Sequence, residues 1–182
     1  VALLRGDHAT AVARRREAAL LVAHDPALAW AQTLGEAEAL YRWGEVRGDP
    51  AHLRQAIEVF ERALALAPRP QRPLDWAMTQ NNLGGALFRL GERGDDDALR
   101  RAVQAFEAAL EERTRDRAPL DWAESQKELG SALNSLGQRS DAAALRRAVQ
   151  AFEAALEEYT RDRVPLDWAM TQSNLGIALA ML

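Results

Sequence analysis

The chain has 182 residues, of which 48% are hydrophobic and 27% charged, and its formal net charge is −4 at pH 7. This is the composition of a protein with a buried core, and the absence of cysteine excludes disulfides, thiolate metal sites and a cysteine nucleophile. Acidic and basic residues alternate and no apolar run reaches roughly 18 residues, so we expect a cytoplasmic protein with no nucleic-acid or membrane partner.

The first third of the chain predicts helices with an irregular pattern. Residues 9–23 read as the second helix of a unit whose first helix is missing. A degenerate unit follows, in which Trp30, Tyr41, Trp43 and Gly44 belong to the first helix. Its second helix carries apolar residues at helical spacing, namely Leu53, Ala56, Ile57, Phe60, Ala63 and Leu64.

The rest of the chain is a tandem repeat. Residues 73–118 return as residues 119–164 with 13 differences in 46 positions, and the start of the unit returns as residues 165–182. A fixed period is typical of a solenoid in which each unit stacks on the next. Because the chain starts on Val and stops within a unit, we expect it to be a piece of a longer protein. The assigned segments are 1–25, the trailing helix of a preceding repeat; 26–72, a degenerate repeat; 73–118 and 119–164, two full repeats; and 165–182, the first helix of a truncated repeat.

Each full unit predicts two helices and no strand. The first, helix A, begins at Pro73 and ends near Gly91, because Pro suits a first helical turn and Gly commonly follows the last one. The second, helix B, has an apolar stripe made of Leu99, Ala102, Val103, Phe106, Ala109 and Leu110. With the partial units included, we expect about seven helices.

Small and apolar residues at fixed places match a known repeat. They are Leu83, Gly84, Leu87, Ala102, Phe106 and Ala109, and again Leu129, Gly130, Leu133, Ala148, Phe152 and Ala155. With these residues the chain resembles the tetratricopeptide repeat (TPR) family, in a long variant whose unit has 46 residues instead of about 34. The resemblance implies an all-α, right-handed solenoid of antiparallel helix pairs. The period alone also fits HEAT or armadillo repeats, but their mid-helix proline is absent here.

Three glycines recur inside helix A, at Gly84, Gly130 and Gly176. Glycine within a helix costs about 1 kcal/mol relative to alanine, so its recurrence needs a reason in packing. We expect each glycine to allow another helix to approach closely.

The positions that change between copies lie mostly on one stripe of helix A, whereas helix B is identical from Leu99 to Glu112 and from Leu145 to Glu158. In proteins of the TPR family the A helices line a concave groove that holds a peptide or a partner helix. We therefore expect the changing positions to line a partner-binding groove, and free drift of solvent-facing residues is the alternative. The predicted groove residues are Met78, Asn81, Asn82, Gly85, Phe88, Arg89, Glu124, Lys127, Glu128, Ser131, Asn134, Ser135, Met170, Ser173 and Ile177. They predict a partner with an apolar anchor and polar or charged neighbours.

Other motifs indicate structure and not chemistry. The acidic residues Asp95 to Asp97 lack calcium-loop spacing, and His8, His24 and His52 lack the spacing of metal ligands. No phosphate-binding glycine loop or nucleophile elbow is present. We expect no enzymatic activity, no cofactor and no metal.

Three functions remain open from the sequence. The first is a non-catalytic scaffold that binds a protein or peptide partner. The second is a sensor or regulatory segment of a larger bacterial signalling enzyme, because arrays of this kind occur attached to effectors. The third is self-assembly through the open helical ends, including a homodimer. The last helix supplies the apolar residues for that contact, which are Leu166, Trp168, Leu175, Leu179 and Leu182.

Overall fold

A computed structural model describes residues 8–139 and 141–182. Residues 1–7, which the sequence assigns to the incomplete first repeat, lie outside this part, as does Ser140. Eight helices and no strand occur in the described ranges. They are α1 (His8–Leu21), α2 (Pro26–Arg47), α3 (Pro50–Leu66), α4 (Pro73–Gly91), α5 (Asp96–Leu110), α6 (Pro119–Gly137), α7 (Ala142–Leu156) and α8 (Pro165–Ala180).

The helices form an all-α solenoid, as predicted. Each helix packs against the one before it and the one after it, and the most extensive contacts join α2 to α3, α4 to α5 and α6 to α7. The A helices α2, α4, α6 and α8 also contact one another in series. The number of helices in the described part is eight and not about seven; the predicted segments, with two helices in each of three units and one helix at either end, already sum to eight.

Helix boundaries follow from two kinds of start signal. Helices α5 and α7 begin after Asp95 and Asp141, whose carboxylates accept hydrogen bonds from the backbone N–H of Ala98 at 2.9 Å and Ala144 at 3.0 Å. Such caps satisfy N–H groups that have no partner within the helix. Helices α4, α6 and α8 begin with proline instead, with no side-chain cap. Their first turn therefore lacks one donor from the outset.

The repeated glycines of helix A leave space for aromatic rings of helix B. Phe106 and Phe152 are fully buried. A Cβ atom added at Gly84 would lie 2.7 Å from Cε1 of Phe106, and one at Gly130 would lie 2.7 Å from Cε1 of Phe152. Both distances are well below van der Waals contact, so only glycine fits without movement of the ring. The predicted close approach is confirmed at these two glycines, whereas a Cβ at Gly176 would meet nothing within 4 Å.

A buried hydroxyl position joins neighbouring A helices. The indole N–H of Trp30 donates to Oγ1 of Thr79 at 3.0 Å, which links α2 to α4. The equivalent Ser125 donates to Oδ1 of Asn81 at 2.8 Å and accepts from Nη1 of Arg113 at 3.1 Å. Polar groups buried at these junctions thus find partners in the adjacent helices, as burial requires.

Thr79→Val is expected to destabilise the chain, because it leaves the buried indole N–H of Trp30 without an acceptor. An unsatisfied buried donor costs about 1–3 kcal/mol. Thr171→Val is the matched control, since Thr171 is also fully buried and also donates to the carbonyl oxygen four residues earlier, at 2.7 Å. Urea denaturation followed by circular dichroism should show a clearly larger loss in the free energy of unfolding for Thr79→Val than for Thr171→Val. Equal losses would contradict a role for the bond to Trp30.

Candidate functional site

The series of A helices carries two adjoining cavities. The first, of about 250 Å³, is lined mainly by residues of α2, α4 and α6. The second, of about 380 Å³, is lined mainly by residues of α4, α6 and α8. Phe88, Arg89 and Glu128 line both, so the two cavities form one continuous surface, which we call the groove. Its base includes the rings of Phe60, Phe106 and Phe152 from the B helices.

Most of the residues predicted from sequence comparison lie in this groove. Twelve of the fifteen line one or both cavities, and they are Asn81, Asn82, Gly85, Phe88, Arg89, Glu124, Lys127, Glu128, Ser131, Asn134, Ser135 and Met170. The other three line neither cavity: Met78 packs against the core, and Ser173 and Ile177 are exposed on α8.

Sequence comparison missed the contribution of α2, where Glu38, Tyr41 and Arg42 line the first cavity. Helix α2 has diverged too far for a residue-by-residue comparison with the full repeats. The structure supplies the missing alignment, because Gly44 packs against Leu53 as Gly91 packs against Leu99. Alignment on these glycines places Glu38, Tyr41 and Arg42 at the groove positions Gly85, Phe88 and Arg89.

Several groove side chains also hold the helices together. Asn81 is only 7% exposed and accepts the hydrogen bond from Ser125. The side-chain amide of Asn82 donates to Oε1 of Glu38 at 3.3 Å, which links α2 to α4. Phe88 is 8% exposed, so its ring forms a wall of the groove and does not project into solvent. Substitution of these residues would perturb the fold as well as the groove.

The cations of the groove are already paired with carboxylates. Arg89 lies 2.9 Å from Glu45 and 2.8 Å from Glu92. Burial acts to lower its pKa, but hydrogen bonds with Glu92 and Tyr41 outweigh burial and raise it. Lys127 lies 3.1 Å from Asp167. Burial again acts to lower the pKa, and the charges of the nearby carboxylates, with the hydrogen bond to Asp167, raise it. Both side chains therefore stay charged and held in place.

Two further acceptors belong to groove residues, and Glu128 among them lies 3.6 Å from Lys127. Burial raises the pKa of the Glu128 carboxyl, against the opposing effect of Lys127, so a donor placed beside it would stabilise its charged form. The side-chain oxygen of Asn134 is buried and has no hydrogen-bond partner in the part of the chain that the structure describes. A buried acceptor without a donor is unfavourable, and a bound N–H group would relieve that cost.

Tyr41 reports on the burial of the groove wall. Burial raises the pKa of Tyr41 from 10.0 to about 12, and burial also raises the pKa of Tyr159, the other tyrosine of the chain. The stability that goes with these neutral phenols is present below pH 10 and is lost as the pH rises towards 12. In an ultraviolet titration of the folded chain, we expect no tyrosine ionisation near pH 10, whereas the urea-unfolded chain should ionise there. Ionisation of a tyrosine near pH 10 in the folded chain would refute this assignment.

Comparison with known proteins shows a fold and no family. No protein-family model matches the chain, and no curated protein does. Among solved structures, BtubC (BKLC) from P. vanneervenii has a TM-score of 0.50 and 21% identity, covering 100% of this chain and 84% of that chain. A chain of the DHF58 filament has a TM-score of 0.43 and 21% identity, covering 98% of this chain and 82% of its own length. At such identity the similarity to BtubC concerns the fold alone.

Two features are absent from the described residues. No helix there combines the length and the apolar character that a membrane crossing requires. No group of three or more His, Cys, Asp or Glu residues within 8–139 and 141–182 is arranged to hold a metal ion.

Proposed function

We propose that this chain is a non-catalytic, cytoplasmic scaffold of the TPR type, which binds a peptide or a helical segment of a partner protein in the groove. One observation carries the proposal. Two otherwise nearly identical repeats differ mainly along one stripe of helix A, and twelve of the fifteen residues chosen from that stripe line the two adjoining cavities. Free drift at the surface would have changed the exposed positions of helix B throughout, but only the first turn differs, where Asp96 and Asp97 become Ala142 and Ala143, and the helices are identical from Leu99 and Leu145 onward.

The chemistry of the groove favours a partner with donors and an apolar anchor. Phe88 lies between the two cavities and offers an apolar wall for that anchor. The oxygen of Asn134 suits a backbone N–H of an extended peptide. Four glutamates (Glu38, Glu92, Glu124 and Glu128) line the two cavities against the three cations Arg42, Arg89 and Lys127, so the groove suits a basic side chain, although Glu38 and Glu128 already contact Asn82 and Lys127. A basic and apolar segment therefore fits better than an acidic tail.

Gly85→Arg combined with Ser135→Arg is expected to block partner binding. A Cβ at Gly85 would meet nothing within 4 Å, and Ser135 is only half-buried and lines the second cavity, so both arginines can extend into the groove. Affinity capture from a lysate of the source cells, with mass spectrometry, should show a partner whose recovery falls at least about tenfold with this variant, equivalent to about 1.4 kcal/mol of binding free energy.

Gln104→Arg combined with Gln150→Arg is the matched control. It adds the same charge on exposed positions of α5 and α7, away from the groove. The control should capture the partner as the parent chain does, and circular dichroism should show equal helix content in all three proteins. Equal recovery of the same partner by the groove variant and the control would refute the groove as the binding surface.

A further inference from the structure

The first cavity is open at its centre because one repeat carries a glycine there. Gly85 stands where the later copies of helix A carry Ser131 and Ile177, and a Cβ added at Gly85 would meet nothing within 4 Å. The helices on either side line the same cavity with carboxylates, which include Glu38 of α2 and Glu128 of α6. The open space above Gly85 is therefore flanked by carboxylates from two directions.

These two carboxylates are incompletely neutralised within the chain. Glu38 accepts a hydrogen bond from the neutral amide of Asn82 at 3.3 Å, and it forms no ion pair with a residue of the described ranges. Glu128 lies 3.6 Å from Lys127, which is shared with Asp167 at 3.1 Å. Burial still raises the pKa of the Glu128 carboxyl, so Lys127 does not fully offset the cost of its charge. A further cation between the two glutamates would lower that cost.

The remaining charged residues of the first cavity do not supply this cation. Arg89 lies 2.8 Å from Glu92, and the third glutamate of the cavity, Glu124, lies 3.2 Å from Arg113. Arg42 is exposed and forms no ion pair within the part of the chain that the structure describes. The cavity therefore keeps both the space and the charge for a cation from outside the chain.

Two aromatic rings of the first cavity favour a guanidinium group over an ammonium group. Tyr41 and Phe88 line the cavity, and the guanidinium group of Arg89 already lies over the ring of Phe88, 5.6 Å from its centroid. A guanidinium group is planar, stacks on such rings and presents its donors in a fixed fork that carboxylates accept, whereas an ammonium group is a compact and strongly hydrated charge. An arginine side chain therefore matches the cavity better than a lysine side chain.

An independent acceptor indicates where the backbone of the same partner lies. Oδ1 of Asn134 is buried and has no hydrogen-bond partner among the described residues, and Asn134 lines the second cavity. It follows Glu128 by six residues on α6, which corresponds to about 9 Å along the helix axis. An extended segment advances about 3.3 Å per residue, so an arginine bound at Glu128 brings the N–H group of a residue two or three places away to Asn134.

On the basis of the proposed scaffold function, on which this inference rests, we propose that the groove selects its partner by one arginine residue in an extended segment. The guanidinium group occupies the first cavity between Glu38 and Glu128, and a backbone N–H group of the same segment donates to Oδ1 of Asn134 in the second cavity. Phe88 lies between the two positions, because its ring lines both cavities. A helical segment does not make the second contact, since its N–H groups beyond the first turn are bonded within the helix.

The test titrates the isotope-labelled full chain with blocked peptides in which one residue is flanked on each side by three alanines. The amide signal of Gly85 in the nuclear magnetic resonance spectrum reports on the first cavity. We expect a saturable shift with the arginine peptide, and an affinity at least about tenfold lower for the lysine peptide and for the peptide with citrulline, the neutral isostere of arginine. The absence of a saturable shift with the arginine peptide, or equal affinity for either of the other two, would overturn the proposal.

Variants of the chain test the two contacts separately. Glu38→Gln combined with Glu128→Gln should weaken binding of the arginine peptide at least about tenfold, because it removes both carboxylates with little change in shape. Glu107→Gln combined with Glu153→Gln is the matched control, which removes the same charge from exposed positions of α5 and α7 and should bind like the parent chain. Asn134→Ala should weaken all three peptides by a similar factor, and unchanged affinity would contradict the backbone contact. Circular dichroism should show equal helix content in every variant.

Capture from the lysate separates this inference from the groove proposal. A partner that is lost with Gly85→Arg and Ser135→Arg, but retained with Glu38→Gln and Glu128→Gln, would overturn the arginine site and leave the groove as the binding surface. Saturable binding of the arginine peptide by a chain whose captured partner is indifferent to the groove variant would contradict the groove proposal and leave the arginine site.

Discussion

Phe152→Ala is expected to lower the free energy of unfolding by about 3–5 kcal/mol, the range for a large aromatic residue deleted from a core. The ring of Phe152 is fully buried and lies against Gly130, which has no side chain to fill the space that the ring would leave. Urea denaturation followed by circular dichroism measures the loss. Ile177→Ala, at a 47% exposed position of α8, is the control and should change stability by no more than about 0.5 kcal/mol. A loss below about 1 kcal/mol for Phe152→Ala would mean that the ring is not central to the joint between α6 and α7.

Gly130→Leu is expected to destabilise the chain by about 3 kcal/mol, at the upper end of the usual range for overpacked cores. The first added atom alone would lie 2.7 Å from the ring of Phe152, where contact between carbon atoms is favourable only from about 3.5 Å. Thermal unfolding should show a lower midpoint. The same change at Gly176 should leave the midpoint unchanged or raise it, because the site is open and leucine is the better helix former.

The double variant Gly130→Leu with Phe152→Ala tests whether the two single substitutions destabilise the chain through the packing of these residues against each other. The new leucine lies against the space that the ring leaves, so the combined loss should be smaller than the sum of the two single losses. Additive losses would show that the two residues do not act on one another, and the proposed reason for the recurring glycine would then be wrong.

The fold could be predicted from the sequence because the copies of the repeat could be compared with one another. Pro73, Pro119 and Pro165 marked the starts of helices, and the glycines and phenylalanines marked where A and B helices meet. Helical spacing, however, does not give the boundary between a groove wall and a buried joint. Asn81 and Phe88 lie on the predicted stripe but are also buried between helices, which depends on how closely the next A helix approaches.

The candidate site was predictable only where the copies could be compared. Helix α2 lines the first cavity, but its sequence has diverged from the repeats, so Tyr41 and Arg42 were not identified. At the other end Ser173 and Ile177 follow the same spacing as groove residues, yet they line neither cavity. Met170 and Asn174 of the same helix do line the second cavity, so helical spacing alone does not decide which positions of α8 belong to the groove.

The contacts of the buried hydroxyl groups differ from one repeat junction to the next, which bears on how the repeats pack in the correct order. A chain with nearly identical repeats risks pairing the wrong units during folding, because the outer surfaces of α5 and α7 match equally well. Two junctions between A helices differ in chemistry, since Trp30 donates to Thr79 at one, while Ser125 joins Asn81 and Arg113 at the other. A shifted arrangement would place Trp30 against Ser125, whose hydroxyl binds Asn81 and Arg113 in the native order, and would separate Asn81 from its donor. The contacts at these junctions therefore favour the native order of the repeats, which the nearly identical B helices alone would not determine.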